Sequence, residues 1–145
     1  MELIATIKES WGWVGLDPAQ VVGDNDFGNL IIKDHEERYW RLRPEDPSCN
    51  LIAHNRAELD ALSHDQEFLH SWYMRKLVAE ARSALGPLRP GYKYSLKIPA
   101  ILGGEYGGSN LASTPLQELV SFAGSVAKQI DTLPDGAKVR LVVTE

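Results

Sequence analysis

Residues 29–43 read NLIIKDHEERYWRLR, and this stretch decides the fold class. Residues 29–33 form a short apolar, β-branched run, and 34–37 are polar and turn-like. Residues 38–43 then alternate, with Tyr39 and Arg41 facing opposite to Trp40 and Leu42. Alternation is the period of a half-buried strand, so the stretch predicts a β-hairpin. Pro44 and Pro47 stop it, because a proline has no N–H to donate to a sheet ladder. Residues 50–54 supply a third strand, expected in the same antiparallel sheet.

Working outward, the period changes to that of helices. Leu3, Ile4, Ile7 and Trp11 fall on one helical stripe that Gly12 and Gly15 end. Asp17-Pro18 predicts a short second helical turn, with the aspartate as cap. Downstream, Asn55-x-x-Glu58 and Ser63-x-x-Gln66 have the form of capping boxes. The first predicts a short helix over 56–62. The second predicts a long helix reaching Leu85, with Leu69, Tyr73, Leu77, Ala81 and Leu85 on one i, i+4 row. Residues 92–98 alternate cleanly and predict a strand, and Thr114-Pro115-x-Gln117 predicts the start of a last helix. Residues 134–136 read as a turn and 138–143 as a closing strand. Strands come in a run before the first long helix, which predicts an α+β fold. The expectation is one domain over 1–145: an antiparallel or mixed sheet of about five strands with helices packed on it.

Charge separates the halves of the chain. Residues 1–70 carry 14 acidic and 6 basic side chains, and residues 71–145 carry 6 acidic and 9 basic. The acidic half disfavours contact with nucleic acid or an anionic membrane and favours a basic partner. Asp24, Asp26, Asp34, Glu36, Glu37, Glu45 and Asp46 are the residues available for an acidic face. No apolar run is long enough to cross a bilayer, and the opening MELIATIKES has an acidic residue where a secretory signal needs basic ones. A cytoplasmic location is therefore expected.

Catalytic patterns are missing from the sequence. The glycines of 103–108 are spaced Gly-Gly-x-x-Gly-Gly, unlike either nucleotide-binding fingerprint, and Glu105 would repel a phosphate. The loop predicts positive φ at several positions and the presentation of Glu105 and Tyr106 to a protein partner. His35, His54, His64 and His70 lack ligand spacing, and Cys49 stands alone, so no metal site is expected. Cys49 reads as a small buried hydrophobe. Asp24-Asn25-Asp26-x-Gly28 lacks the frame of a calcium loop. Trp11, Trp40 and Trp72 fall on predicted core faces, and Trp13 lies off the stripe of the first helix. A binding protein without catalysis or cofactor is the first reading. Two alternatives stay open: a small-molecule or peptide-binding domain with a pocket lined by Tyr92, Tyr94 and Trp40, and a hydrolase whose site assembles from distant residues.

Three stretches carry a resemblance: FGNLIIKDHEERYWRLRPED (27–46), AELDALSHDQEFLHSWYM (57–74), and residues 94–141 from YSLKIPAILGGEYGGSNL through LPDGAKVRL. In them the chain resembles the C-terminal domain family of type VI secretion immunity proteins. The resemblance implies an α+β fold, no catalysis, no cofactor, and a protein partner: a DNase effector toxin that the immunity protein binds and neutralises. Contact with such a cationic nuclease is expected from Asp24, Asp26, Glu36 and Glu37, or from the loop bearing Glu105, Tyr106 and Asn110. The oligomeric state stays open between monomer and homodimer, since sheet edges can pair between chains.

Overall fold

A computed structural model describes residues 2–133. In chain order the elements are α1 (Glu2–Trp11), β1 (Pro18–Asp24), β2 (Leu30–Asp34), β3 (Tyr39–Arg43), β4 (Ser48–Ala53), α2 (Arg56–Leu62), α3 (Gln66–Tyr73), α4 (Arg75–Leu85), β5 (Tyr92–Leu96), β6 (Leu111–Pro115) and α5 (Leu116–Asp131). The architecture is α+β. The hairpin is β2–β3, with Leu30 opposite Leu42 and Ile32 opposite Trp40. The strands divide between an antiparallel sheet ordered β1-β2-β3-β4 and a separate antiparallel pair, β5-β6. The predicted turn at 134–136 and strand at 138–143 lie outside the described residues.

The alternation along β2 and β3 separates two sheet faces. Leu30, Ile32 and Leu42 are fully buried against Ile7 and Trp11 of α1 and Val120 and Ala123 of α5. This face is nearly all hydrocarbon, and each fully buried large side chain contributes about 1.5–3 kcal/mol. Its indole N–H groups are placed: Trp11 Nε1 donates to the Val120 carbonyl at 3.2 Å and Trp40 Nε1 to Asp34 Oδ2 at 2.9 Å. α1 and α5 touch closely: a Cβ on Gly124 would come within 2.5 Å of the Ser10 carbonyl oxygen. Trp13 is half-buried, stacked on Trp11 at 6.1 Å. A second apolar cluster joins Phe27, Tyr94, Leu96 and Leu111 to Ala81 of α4, so α4 closes the β5–β6 pair.

Three local expectations change. Asp17-Pro18 starts β1 and not a helical turn; Pro18 sits at the first position of an edge strand, where a missing N–H is tolerated. The strand β6 went unforeseen: the Thr114 hydroxyl bonds Ser95 Oγ at 2.8 Å across the β5–β6 ladder and does not cap α5. The expected long helix is two helices. Asp65 caps the first, accepting the Glu67 and Phe68 amides, and Ser63 turns back to Asp60. The break is at Met74, whose φ of 47° is left-handed. It divides the predicted row, so that Ala81 is buried while Tyr73 and Leu85 are exposed.

Candidate functional site

No glycine or proline marks the break at Met74, so its cause is tertiary. Ending α3 there strands carbonyls that a continuous helix would satisfy. Two side chains from the sheet take them. Arg41 donates from Nη2 to the Ser71 carbonyl at 3.1 Å and from Nη1 to Ser71 Oγ at 2.9 Å. Asn25 donates from Nδ2 to the Trp72 carbonyl at 2.7 Å. Asn25 is itself held by the β1–β2 turn, its Oδ1 accepting the Phe27 and Asn29 amides.

Arg41 lies on the sheet face opposite the hydrocarbon core, between β3 and the aromatic side of α3. Its guanidinium carbon is 5.2 Å from the Trp72 ring centroid and 5.7 Å from that of Phe68. Nε and Nη2 both donate to Asn29 Oδ1, at 3.1 and 2.8 Å. Asn29 Nδ2 donates to Glu45 Oε1 at 2.7 Å, and Arg43 Nε donates to Glu45 Oε2 at 3.1 Å. Burial lowers the Arg41 pKa to about 10, with the Arg43 charge adding to the drop and Glu45 opposing it. The group therefore stays cationic at neutral pH. Among the described residues no buried side-chain nitrogen or oxygen lacks a partner. That condition makes such a network tolerable, since an unpaired buried charge is strongly destabilising.

Burial reassigns two of the seven acidic residues. Asp34 and Glu45 are both only 2% exposed and form no part of an acidic face. Asp34 Oδ1 accepts the Glu36 and Arg38 amides, and Oδ2 accepts Arg38 Nε and Trp40 Nε1. Burial raises its pKa, but the bonds from Trp40 and Arg38 outweigh burial and hold the carboxyl below its usual range.

The strand register also divides the remaining acids. Asp24 pairs with Leu30, whereas Pro18 pairs with Asp34, so Asp24 and Asp26 sit at the opposite end of the sheet from Glu36 and Glu37. The length of β2, roughly 13 Å, separates the two groups. Lys93 Nζ lies 2.6 Å from Asp24, Arg38 lies 2.6 Å from Glu36, and Lys33 lies 3.5 Å from Glu37. The Asp24 end also holds the β3–β4 turn and the glycine loop, because the Ala100 amide donates to the Glu45 carbonyl. Tyr92, Tyr94 and Trp40 do not form one pocket. Tyr94 is buried under α4, while Trp40 is on the hydrocarbon face of the larger sheet.

The glycine loop is built by its own side chains. Asn110 Oδ1 accepts the Ile98 amide, and its Nδ2 donates to the Ile98 and Glu105 carbonyls. Both ends of this amide are therefore committed to closing the loop. Positive φ occurs at Gly103, Gly107 and Gly108, as the sequence predicts. Gly104 has another reason to be glycine: a Cβ there would collide with the Ile98 carbonyl. At Gly107 a Cβ would meet the Glu80 carboxylate at 2.7 Å, and that same carboxylate accepts the Gly108 amide at 2.7 Å. The anion cradled by this loop is the chain's own.

Beside the loop, the break between α3 and α4 opens a groove of about 1120 Å³. Leu69, Met74 and Leu77 give it apolar surface, and Arg43, Arg75 and Lys76 give it positive charge. Tyr73 and Tyr106, both nearly half exposed, also line it. Partial burial and the charges of Asp46 and Glu45 raise the Tyr106 phenol pKa, so it is a neutral hydrogen-bond donor at physiological pH. Nothing in the sequence pointed to this groove beyond the positive balance after residue 70. Cys49 is buried, and burial pushes its thiol up to about 12, while His54 turns to Glu58 at 3.0 Å. Among the described residues, no three His, Cys, Asp or Glu side chains are grouped to hold a metal ion, and no helix is long and apolar enough to cross a membrane.

The family model described as T6SS immunity protein Tdi1, C-terminal, matches residues 53–127. The matched stretch runs from the end of β4 through most of α5 and includes the helix break and the glycine loop. The network residues Asn29, Arg41 and Glu45 lie before it. No curated protein matches the chain.

Proposed function

The chain belongs to the type VI secretion immunity family of the Tdi1 C-terminal kind, and from this we propose that it neutralises a cognate nuclease toxin in the cytoplasm by direct contact, without catalysis. The family match over 53–127 is the observation that carries the reading. The contact surface we assign is the end of the larger sheet where Asp24 and Asp26 lie with the Glu105–Tyr106 loop. Three features support that choice. Asn110 and Glu80 hold the loop in place, so little ordering entropy is lost on binding. Tyr106 offers an aromatic anchor with a free-standing hydroxyl chemistry suited to an interface centre. Carboxylates around it match a cationic nuclease surface and would speed encounter at low salt.

Growth protection tests this reading. Cells expressing the cognate effector nuclease should survive when the chain is co-expressed, and the two proteins should co-purify. The double variant Glu105→Lys/Tyr106→Ala should weaken the complex about 100-fold, an interface hot-spot effect, with unfolding unchanged. A wild-type chain that neither binds that toxin nor protects against it overturns the proposal. Equal affinity of the variant moves the contact away from this loop.

A further inference from the structure

The groove at the helix break gathers positive charge on an acidic chain. The chain carries a net charge of −5, yet Arg43, Arg75 and Lys76 line the groove together. Glu80 is the single carboxylate among the lining residues, and it is bound to the Gly108 amide. Arg43 uses Nε on the buried Glu45, which leaves the rest of its fork for a ligand. The Arg75 guanidinium lies over the Tyr73 ring, 5.0 Å from its centroid, and not on a carboxylate. Among the described residues neither Arg75 nor Lys76 is within ion-pairing distance of an acid. The groove thus joins unspent positive charge to apolar surface at Leu69, Met74 and Leu77, with Tyr73 and Tyr106 exposed along it.

From this juxtaposition we propose that the groove is a docking site for an extended acidic peptide segment of the toxin, one carrying aliphatic or aromatic side chains between its carboxylates. The identity of the partner rests on the immunity reading; the chemistry of the segment rests on the groove. Charge complementarity selects the acid, and the apolar floor favours a peptide over a bare polyanion, which has no side chains to bury there. The cationic groove adjoins Tyr106, and the acidic Asp46 is close enough to act on that phenol. The interface would therefore carry both signs side by side. Such a pattern fixes the register of a partner and rejects toxins whose charges are arranged otherwise.

The test uses the full chain and the double variant Arg75→Glu/Lys76→Glu, both positions being exposed. A second double variant, Arg56→Glu/Arg82→Glu, makes the same change in net charge on other exposed surfaces. Each protein is titrated with the cognate toxin and with extended peptides of about 6 residues, ~20 Å long, that are acidic-apolar, neutral-apolar or basic. A short single-stranded DNA serves as competitor. The expected result is binding of the acidic-apolar peptides alone, with peptide and toxin affinity falling about tenfold or more in the groove variant and holding in the control. Equal losses in both variants reduce the effect to net charge and overturn the proposal. So does displacement of the peptide by the DNA at equal concentration, which would make the groove a general polyanion site. Undiminished toxin binding by the groove variant overturns the docking inference and leaves the immunity reading standing. Wild-type binding of acidic peptides without any toxin binding does the reverse: the groove's chemistry holds, while the immunity reading and the named occupant fall.

Discussion

The two faces of the four-stranded sheet are both closed by helices, but by different means. On one, α1 and α5 cover Leu30, Ile32 and Leu42 with hydrocarbon and one tryptophan. On the other, α3 covers Arg41 with two aromatic rings, and the charge is satisfied through Asn29, Ser71 and the rings themselves. Hydrocarbon burial is non-directional, so the first face tolerates adjustment and supplies stability. A buried guanidinium is directional, and every donor must find an acceptor at a set place. The second face therefore dictates where α3 stops. It does so by capping the carbonyls that the break at Met74 exposes, and the groove follows from that break.

The sharpest challenge to this contrast is truncation on the hydrocarbon face. Trp11→Ala should lower unfolding free energy by about 3–5 kcal/mol, as large-to-small core changes do. Denaturant titration by circular dichroism would show it as a shifted midpoint. Amide exchange should quicken across the whole sheet, because this face is part of the global unit. Protection lost in α1 alone would show that the two faces unfold separately.

Arg41→Met tests the other face. It leaves Asn29 Oδ1 without two donors and uncaps the Ser71 carbonyl, which should cost about 3 kcal/mol. The distinguishing readout is local: amides of residues 68–77 should exchange faster than the global opening allows. A variant as stable as the wild type, with exchange in α3 and α4 unchanged, would show that apolar packing alone sets the break.

The smallest effect is expected from Asp34, whose partners lie at the turn remote from the groove. Its folded pKa is held below the unfolded value of 3.8, so its contribution is present above about pH 4 and is lost as pH falls through the folded value. Asp34→Asn should cost roughly 1–2 kcal/mol at neutral pH and should flatten the acid limb of the stability profile. An acid limb identical in wild type and variant would assign acid sensitivity to other carboxylates.

Legibility in the sequence followed the range of the interactions. The β2–β3 hairpin was plain because 29–33 is a short β-branched run, 38–43 alternates and the turn between them is polar. The Asn55 cap of α2 was plain because donor and acceptor are three residues apart. The long helix from Ser63 was misread because residues 63–85 hold no local stop; the capping groups come from Asn25 and Arg41, more than 25 residues earlier. The acidic face was overcounted for a similar reason. Asp34 and Glu45 look like their neighbours in a list of carboxylates, and only their partners show them buried. The loop over 103–108 was foreseen as a region of positive φ, but not that Glu80 would fill it.

By itself the sequence determined the α+β class, the hairpin and the faces of its strands, because each follows from period, caps and turns within a few residues. The tertiary structure alone decided where α3 ends, which acids meet solvent and how three cations come to share one groove. Those outcomes depend on hydrogen bonds and charges that join distant parts of the chain, and such bonds have geometry but leave no local pattern.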